Sequence, residues 1–297
     1  MISQRRASKD GGAQASAVRH SQRRRGLRIG MAAAALLAAL PQGRAAAADW
    51  PDLPLRGTIS SPGPVRWDGF HLGGQMGLAN MGTDFGSSTS QQVAYILRNS
   101  TLESEAQPSA WAALPHSSTN TRSYGGFLGY STQQEQLIIG FDAAYNRVSS
   151  AQIGASDSMT RVVTTTDSVQ HTVMLSAQSS TKLIDYATAR FRFGYAMAQF
   201  LPYVFIGGSV GRFDYSNSST VRDSQLAGGV TTVFGPVTMS DAKANAIVGG
   251  FTTGVGIDVA LMPNLFLRGE FEYVGFAPIG GIRSSINTGR VAIGMRF

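Results

Sequence analysis

Asn287-Thr288-Gly289-Arg290-Val291-Ala292-Ile293-Gly294-Met295-Arg296-Phe297 alternates without a break. Val291, Ile293, Met295 and Phe297 fall on one side; Thr288, Arg290, Ala292, Gly294 and Arg296 fall on the other. Successive side chains of a strand point to opposite faces, so this stretch has one apolar and one charged face. Its length suits a single tilted bilayer crossing by a strand, which takes ~9–11 residues.

Working back from it, seven more segments alternate in the same way, near 67–78, 122–130, 137–147, 183–195, 203–215, 247–261 and 265–276. In the fourth, Ala187, Ala189, Phe191, Phe193 and Tyr195 oppose Thr188, Arg190, Arg192 and Gly194. In the fifth, Phe205 and Phe213 oppose Arg212 and Asp214; in the seventh, Leu267, Phe271 and Tyr273 oppose Arg268, Glu270 and Glu272. The parity of the second segment reads either way. Connections at 131–136, 196–202 and 262–264 are short, whereas 79–121, 148–181 and 216–244 are long and rich in Ser, Thr, Asn and Gln. A soluble antiparallel sandwich also alternates. The asymmetry of the connections instead predicts an all-β, eight-stranded antiparallel transmembrane barrel over 67–297, with short periplasmic turns and long extracellular loops. Lipid cannot hydrogen-bond a backbone, so a sheet within it must close on itself. On this assignment of faces, Phe271→Arg is expected to impair assembly far more than Gly254→Ser.

Residues 1–48 read as an export signal: a long basic region, a twelve-residue apolar stretch from Ile29 to Leu40, Pro41, and Ala46-Ala47-Ala48 before Asp49. Twelve residues are too few for a spanning helix, which needs ~20. A barrel must cross the inner membrane unfolded, which favours the general secretion route. Residues 49–66 hold four prolines and little periodicity, and read as an extended periplasmic arm. The leader also carries nine of the 25 basic residues and one of the 18 acidic ones, leaving 16 against 17. The formal net charge of +7 therefore belongs to the leader, and the case for a nucleic-acid partner that a basic chain would make disappears. Without cysteine there is no disulfide framework and no thiolate metal site.

The polar parity collects Arg190, Arg192, Arg212, Arg268, Arg290 and Arg296, with Asp142, Asp214, Asp258, Glu270 and Glu272. Six cations against five anions suit a salt-bridged plug, because the bore of an eight-stranded barrel just holds its own side chains. The same charges also fit the lining of a narrow channel. Asp185 falls on the outward parity, near the expected extracellular rim.

Catalytic and metal patterns are weak. Gly207-Gly208-Ser209-Val210-Gly211 matches G-x-S-x-G but lies within an alternating strand, on the parity of Phe205 and Phe213, and not at a strand-to-helix turn. Ser168, Asp167 and His171 are close in sequence within a serine-rich loop. His71, His116 and His171 lack zinc-site spacing, and Asp157, Asp167, Asp223 and Asp241 carry no calcium-loop pattern. Trp111 reads either as a partner contact or as a pin for the first long loop. No enzyme, cofactor or metal site is expected.

Several short stretches resemble one family. Ala48-Asp49-Trp50-Pro51-Asp52-Leu53-Pro54 is similar to the Ala-Asp-Leu-Pro that opens many mature alphaproteobacterial surface proteins. Trp67-Asp68-Gly69-Phe70-His71-Leu72-Gly73-Gly74 resembles their first strand, Gly125-Gly126-Phe127-Leu128-Gly129-Tyr130 their second, and Thr188-Ala189-Arg190-Phe191-Arg192-Phe193-Gly194-Tyr195-Ala196 their T-V-R-x-R-x-G-Y-A. With Leu267–Tyr273 and the closing Phe297, residues 49–297 resemble the outer-membrane immunogenic or porin-like barrels of rhizobia and their relatives, akin to the OmpA-type transmembrane domain. The resemblance implies an outer-membrane surface protein with a structural and contact role. Its partners would be membrane lipid and lipopolysaccharide, host or symbiont surfaces, and the barrel-assembly machinery, for which Phe297 would be the insertion signal. A narrow porin is the alternative.

Overall fold

The computed structural model describes residues 65–111 and 114–297; the expected leader (1–48) and nearly all of the expected arm (49–66) lie outside them. Eight strands make one antiparallel sheet that closes on itself: β1 (Gly69–Asp84), β2 (His116–Gln134), β3 (Leu137–Thr164), β4 (Gln170–Tyr195), β5 (Phe200–Ala227), β6 (Val230–Met262), β7 (Leu265–Phe276) and β8 (Arg283–Arg296). β1 and β8 complete the ring in a register running from His71 opposite Arg296 to Asp84 opposite Arg283. Among the described residues, no helix is long and apolar enough to cross a membrane.

β7 spans the residues its alternation marks. β3 to β6 do not stop where their apolar alternation fades. The stretches 148–181 and 216–244, expected as loops, are strand: β3 and β4 join through 165–169, and β5 and β6 through Gly228 and Gly229. Both glycines take positive φ, 56° and 81°, as a two-residue hairpin turn demands. Serine and threonine carry the alternation here in place of larger apolar residues, so polarity alone reads as loop while the backbone ladder simply continues.

β-bulges lie between Arg147 and Ala151 on β3 and between Leu183 and Asp185 on β4. Each changes which sequence parity faces inward. Below them the barrel forms a belt. There every strand turns a large apolar residue outward: Leu78, Leu128, Phe141, Phe191, Ile206, Phe251, Phe271 and Ile293 are all exposed. Above them rises a crown whose interior is apolar, with Val148, Ile153, Val173, Leu175 and Val221 buried.

The connection between β1 and β2 is not an open loop either. It folds into α1 (Ser90–Ile96), α2 (Thr101–Ala106) and a 3-10 turn at Pro108–Ala110. Phe85, Val93, Leu97, Leu102 and Leu114 from this segment enter the crown core. Gln92 pins α1 to the wall, donating to the Asn217 carbonyl at 3.3 Å and accepting from Ser219 at 2.7 Å. Ser100 caps α2 by accepting from the Glu103 amide at 3.2 Å.

The second segment, ambiguous in sequence, turns Phe127 inward and Leu128 and Tyr130 outward. β5 reverses the expected assignment. Leu201, Tyr203, Phe205, Ser209 and Phe213 are buried inside, while Val204, Ile206 and Val210 face out. Both faces of this strand are apolar within the belt, and the two charges there, Arg212 and Asp214, sit at its rim, so parity judged by charge pointed the wrong way.

Candidate functional site

The belt interior holds a cross-linked network of charged and polar side chains to which every strand contributes. Arg268 on β7 is its hub and is fully buried. Its Nε and one terminal nitrogen donate to Asp258 on β6 at 2.8 and 2.9 Å, and the other terminal nitrogen donates to Asp142 on β3 at 3.0 Å. Asp258 also accepts from Arg192 on β4 at 2.9 Å, and Arg192 donates in turn to Ser131 on β2 at 2.8 Å. His71 on β1 closes the layer, its Nε2 lying 3.0 Å from Asp142.

The adjoining layer is built on Glu270 and Glu272. Arg190 grips Glu270 through two parallel bonds of 2.9 and 3.0 Å and reaches Glu272 at 3.4 Å. Tyr203 on β5 donates to Glu270 at 2.7 Å, and Thr252 on β6 donates to Glu272 at 2.9 Å. Arg290 on β8 donates to Glu272 and stands 3.4 Å from Glu270. Paired bonds in this fork geometry are the strong, orienting kind.

Four guanidinium groups thus meet four carboxylates, and three of the guanidinium faces are occupied as well. Arg268 lies 4.3 Å from the centre of the Phe127 ring, Arg190 4.4 Å from that of Phe205 and Arg192 4.8 Å from that of Tyr203. Cations stack favourably on aromatic faces, more so when desolvated. This explains the inward aromatics of β5: they are platforms for arginines in a lumen too narrow for water on every side. Trp67, Phe127, Ile138, Leu201 and Phe266 form an apolar cluster at the short-turn end, and the crown core with its helical insert lies at the other. Ions in such a place persist only when paired.

Of the expected interior charges, Asp142, Arg190, Arg192, Asp258, Arg268, Glu270, Glu272 and Arg290 come together here. Arg212, Asp214 and Arg296 do not. Arg212 lies on the outer side of β5, where it pairs with Asp185, which also accepts from Tyr145 at 3.0 Å. Asp214 accepts from the Asn245 amide at 2.8 Å beside an irregularity in the β5–β6 pairing. Arg296 sits at the short-turn end, donating to the Pro263 carbonyl at 2.7 Å and stacking 4.9 Å from Trp67. Phe297 is exposed, and its amide donates to the Phe70 carbonyl at 2.8 Å. Ser131, Tyr203 and Thr252 belong to the network but bear no charge signal that would have singled them out, whereas His71 already lies on the polar parity of the first segment.

The catalytic patterns disperse. Ser209 is buried inside a continuous strand, on the face opposite to the one expected. Asp167 accepts from Thr165 Oγ1 at 2.5 Å, from the Val169 amide at 3.3 Å and from Thr101 Oγ1 at 3.3 Å; these bonds, the Thr165 one foremost, hold its carboxyl below the ordinary aspartate range. His171 is paired with Asp223 and not with Asp167. Trp111 donates to the Ala106 carbonyl at 2.8 Å and lies 5.0 Å from Arg161, the geometry of a loop pin. Among the described residues, no group of three or more His, Asp or Glu side chains is placed to hold a metal ion.

No protein-family model and no curated protein matches the sequence. Among solved structures, Neisserial surface protein A is similar at 13% identity and a TM-score of 0.31, over 77% of this chain and 97% of that one. The attachment invasion locus protein Ail of Yersinia pestis is similar at 10% identity and a TM-score of 0.28, over 77% and 99%. The N-terminal β-barrel domain of Pseudomonas aeruginosa OprF is similar at 11% identity and a TM-score of 0.28, over 75% and 97%. Scores of this size carry no argument; the barrel rests on its own hydrogen bonding.

Proposed function

We propose that this chain is an outer-membrane barrel with a sealed lumen, which strengthens the envelope and presents its crown as a surface for contact. The observation that carries this reading is the inverted belt, oily outside and ionic within. On β1 the outward apolar residues run from Phe70 to Leu78. That is ~26 Å along a strand at ~3.3 Å per residue. A tilt of ~40° brings it to ~20 Å along the barrel axis, against the ~25 Å apolar band of outer-membrane barrels. In water, such a band would be an aggregation surface.

In this reading residues 1–48 export the chain and Phe297 presents the last strand to the assembly machinery. Lipid and lipopolysaccharide surround the belt, and the crown meets host or symbiont surfaces. The turns at 135–136, 196–199 and 263–264 face the periplasm. The paired charges of the lumen serve as struts, and the chain is not an enzyme.

Two measurements test it. The folded protein is expected to migrate differently from boiled protein on SDS gels; a single position before and after boiling would count against a membrane barrel. In planar bilayers the purified protein is expected to give no stepwise current. Steady unitary steps would replace the sealed strut with a narrow porin.

A further inference from the structure

The outer face of the belt is not evenly filled. On neighbouring strands β2 to β5, Gly126, Ala143, Ala189 and Gly208 turn outward side by side, Ala143 opposite Ala189 and Ala189 opposite Gly208. They floor an almost wholly apolar groove of about 860 Å3, bordered by Leu128, Tyr145 and Val210.

Directly above it, where belt meets crown, the same strands carry cations. Tyr124, Arg147, Asp185 and Arg212 form one cross-strand row, with Arg122 one outward position further up β2 and Lys182 above Asp185 on β4. Asp185 is taken by Arg212 and Tyr145, and Asp214 accepts from the Asn245 amide. Arg122, Arg147 and Lys182 are exposed and have no ion-pair partner among the described residues. The other half of the rim is balanced: Arg283 stands opposite Asp84, and Lys243 shares a face with Asp241. Excess positive charge is thus confined to the strands that carry the groove. Arg147 lies six residues up β3 from Phe141, which borders the groove from below. That is ~20 Å of strand and ~15 Å along the axis at a ~40° tilt, about one leaflet of a ~30 Å hydrocarbon core.

We propose that this face is a binding site for one diphosphorylated glycolipid of the lipid A type. An acyl chain fills the groove, and the phosphates meet Arg122 and Arg147. Exposed guanidinium groups suit phosphate oxygens, which they can grip in paired bonds. The cations spread over three strands, at ~4.8 Å per strand, which fits two separated phosphates better than one. A zwitterionic headgroup would bring an ammonium against them. The inference rests on the membrane reading of the belt and adds to it a site and a selectivity.

The test places the full chain in phosphatidylcholine vesicles with diphosphoryl lipid A, monophosphoryl lipid A or phosphatidylglycerol. Flotation reports insertion, and native mass spectrometry of the detergent-extracted protein reports retained lipid. Saturable retention of diphosphoryl lipid A is expected, about tenfold tighter than that of phosphatidylglycerol, with the monophosphoryl form between them. Arg122→Gln combined with Arg147→Gln is expected to weaken it by about tenfold or more. Gly208→Leu, at an outward position with no atom within 4 Å of an added Cβ, fills the groove and is expected to weaken it severalfold. The arginine variant, at the exposed rim, decides the matter should Gly208→Leu fail to assemble. Equal retention of diphosphoryl lipid A and phosphatidylglycerol, retention unchanged in the variants, or a dimer that Gly208→Leu dissociates would each overturn the site while insertion stands. Protein that does not float with the vesicles would overturn the membrane reading as well.

Discussion

The belt and the crown are built by the same strands and obey opposite rules. In the belt, Arg190 on β4 points inward and Phe191 points outward. In the crown, eight to eighteen residues earlier on the same strand, Val173 and Leu175 point inward while Lys182 is exposed. The backbone imposes the alternation in both regions, because a strand has only two faces. What lies outside decides which face is oily. On the proposed membrane reading, lipid outside forces the polar side chains into the bore, where each must find a partner. Water outside returns the apolar side chains to the core. The bulges near 147–151 and 183–185 mark the changeover without breaking the ladder.

The largest effect expected from this contrast is at the hub. Arg268→Ala removes the guanidinium that joins Asp142 to Asp258 and leaves them only His71 and Arg192, and breaking a buried ion pair costs about 3–5 kcal/mol. Urea titration of the folded protein in micelles should show that loss. A loss below about 1 kcal/mol would mean that the lumen is wet enough for water to replace the guanidinium.

The outer surface gives the next effect. Phe271→Arg places a charge in the belt and should destabilise by about 2–4 kcal/mol or block assembly. Val162→Arg, at an exposed position in the crown, should stay within about 0.5 kcal/mol of wild type. Equal effects at the two sites would mean that belt and crown face the same medium.

Much of this contrast was legible beforehand. The eight alternating segments, the inward charges of β4, β7 and β8 and the position of Asp142 all follow from a two-residue period. The rest was hidden for physical reasons. β5 is apolar on both faces, because its inward rings stack on arginines from β4 and β7, and no one-strand pattern reveals a stacking partner. The crown hairpins were hidden because Ser and Thr pair a backbone as well as Val does while reading as loop. The His171–Asp223 pair depends on register: Val173 lies directly opposite Asp223, which makes the two residues diagonal neighbours 52 positions apart in sequence.

Glycine positions sharpen the account of the bore. A substitution at Gly254 looks harmless if inward positions merely tolerate polarity. Its backbone, however, passes so close to its neighbours that an added Cβ would lie 2.2 Å from the Phe271 carbonyl oxygen and 2.4 Å from the Phe205 ring. Gly254→Ser, expected to impair assembly far less than Phe271→Arg, should therefore still lose about 1–3 kcal/mol through overpacking. Gly289 lies on the outer face of β8, with Val291 and Ile293, and has no atom within 4 Å of such a Cβ. Gly289→Ala should therefore be neutral or slightly stabilising, within about 1 kcal/mol. Thermal unfolding of the two variants side by side separates the packed bore from the open outer face.

The last test asks whether the two regions are separate in energy as well as in polarity. Val173→Ala removes two methyl groups from the crown core, worth roughly 2 kcal/mol at ~0.8 kcal/mol each plus a small cavity. If the crown is its own cooperative unit, this loss stays local. Hydrogen exchange should then quicken at the amides of 151–183 while those of Val291 and Ile293 in the belt keep their protection. The bulges make such a division natural, because the ladder is already interrupted where the core changes from apolar to ionic. A matched fall in protection in both regions would show that α1, the hairpins and the ion network unfold together. The change of polarity would then mark only a change of surroundings within one cooperative structure.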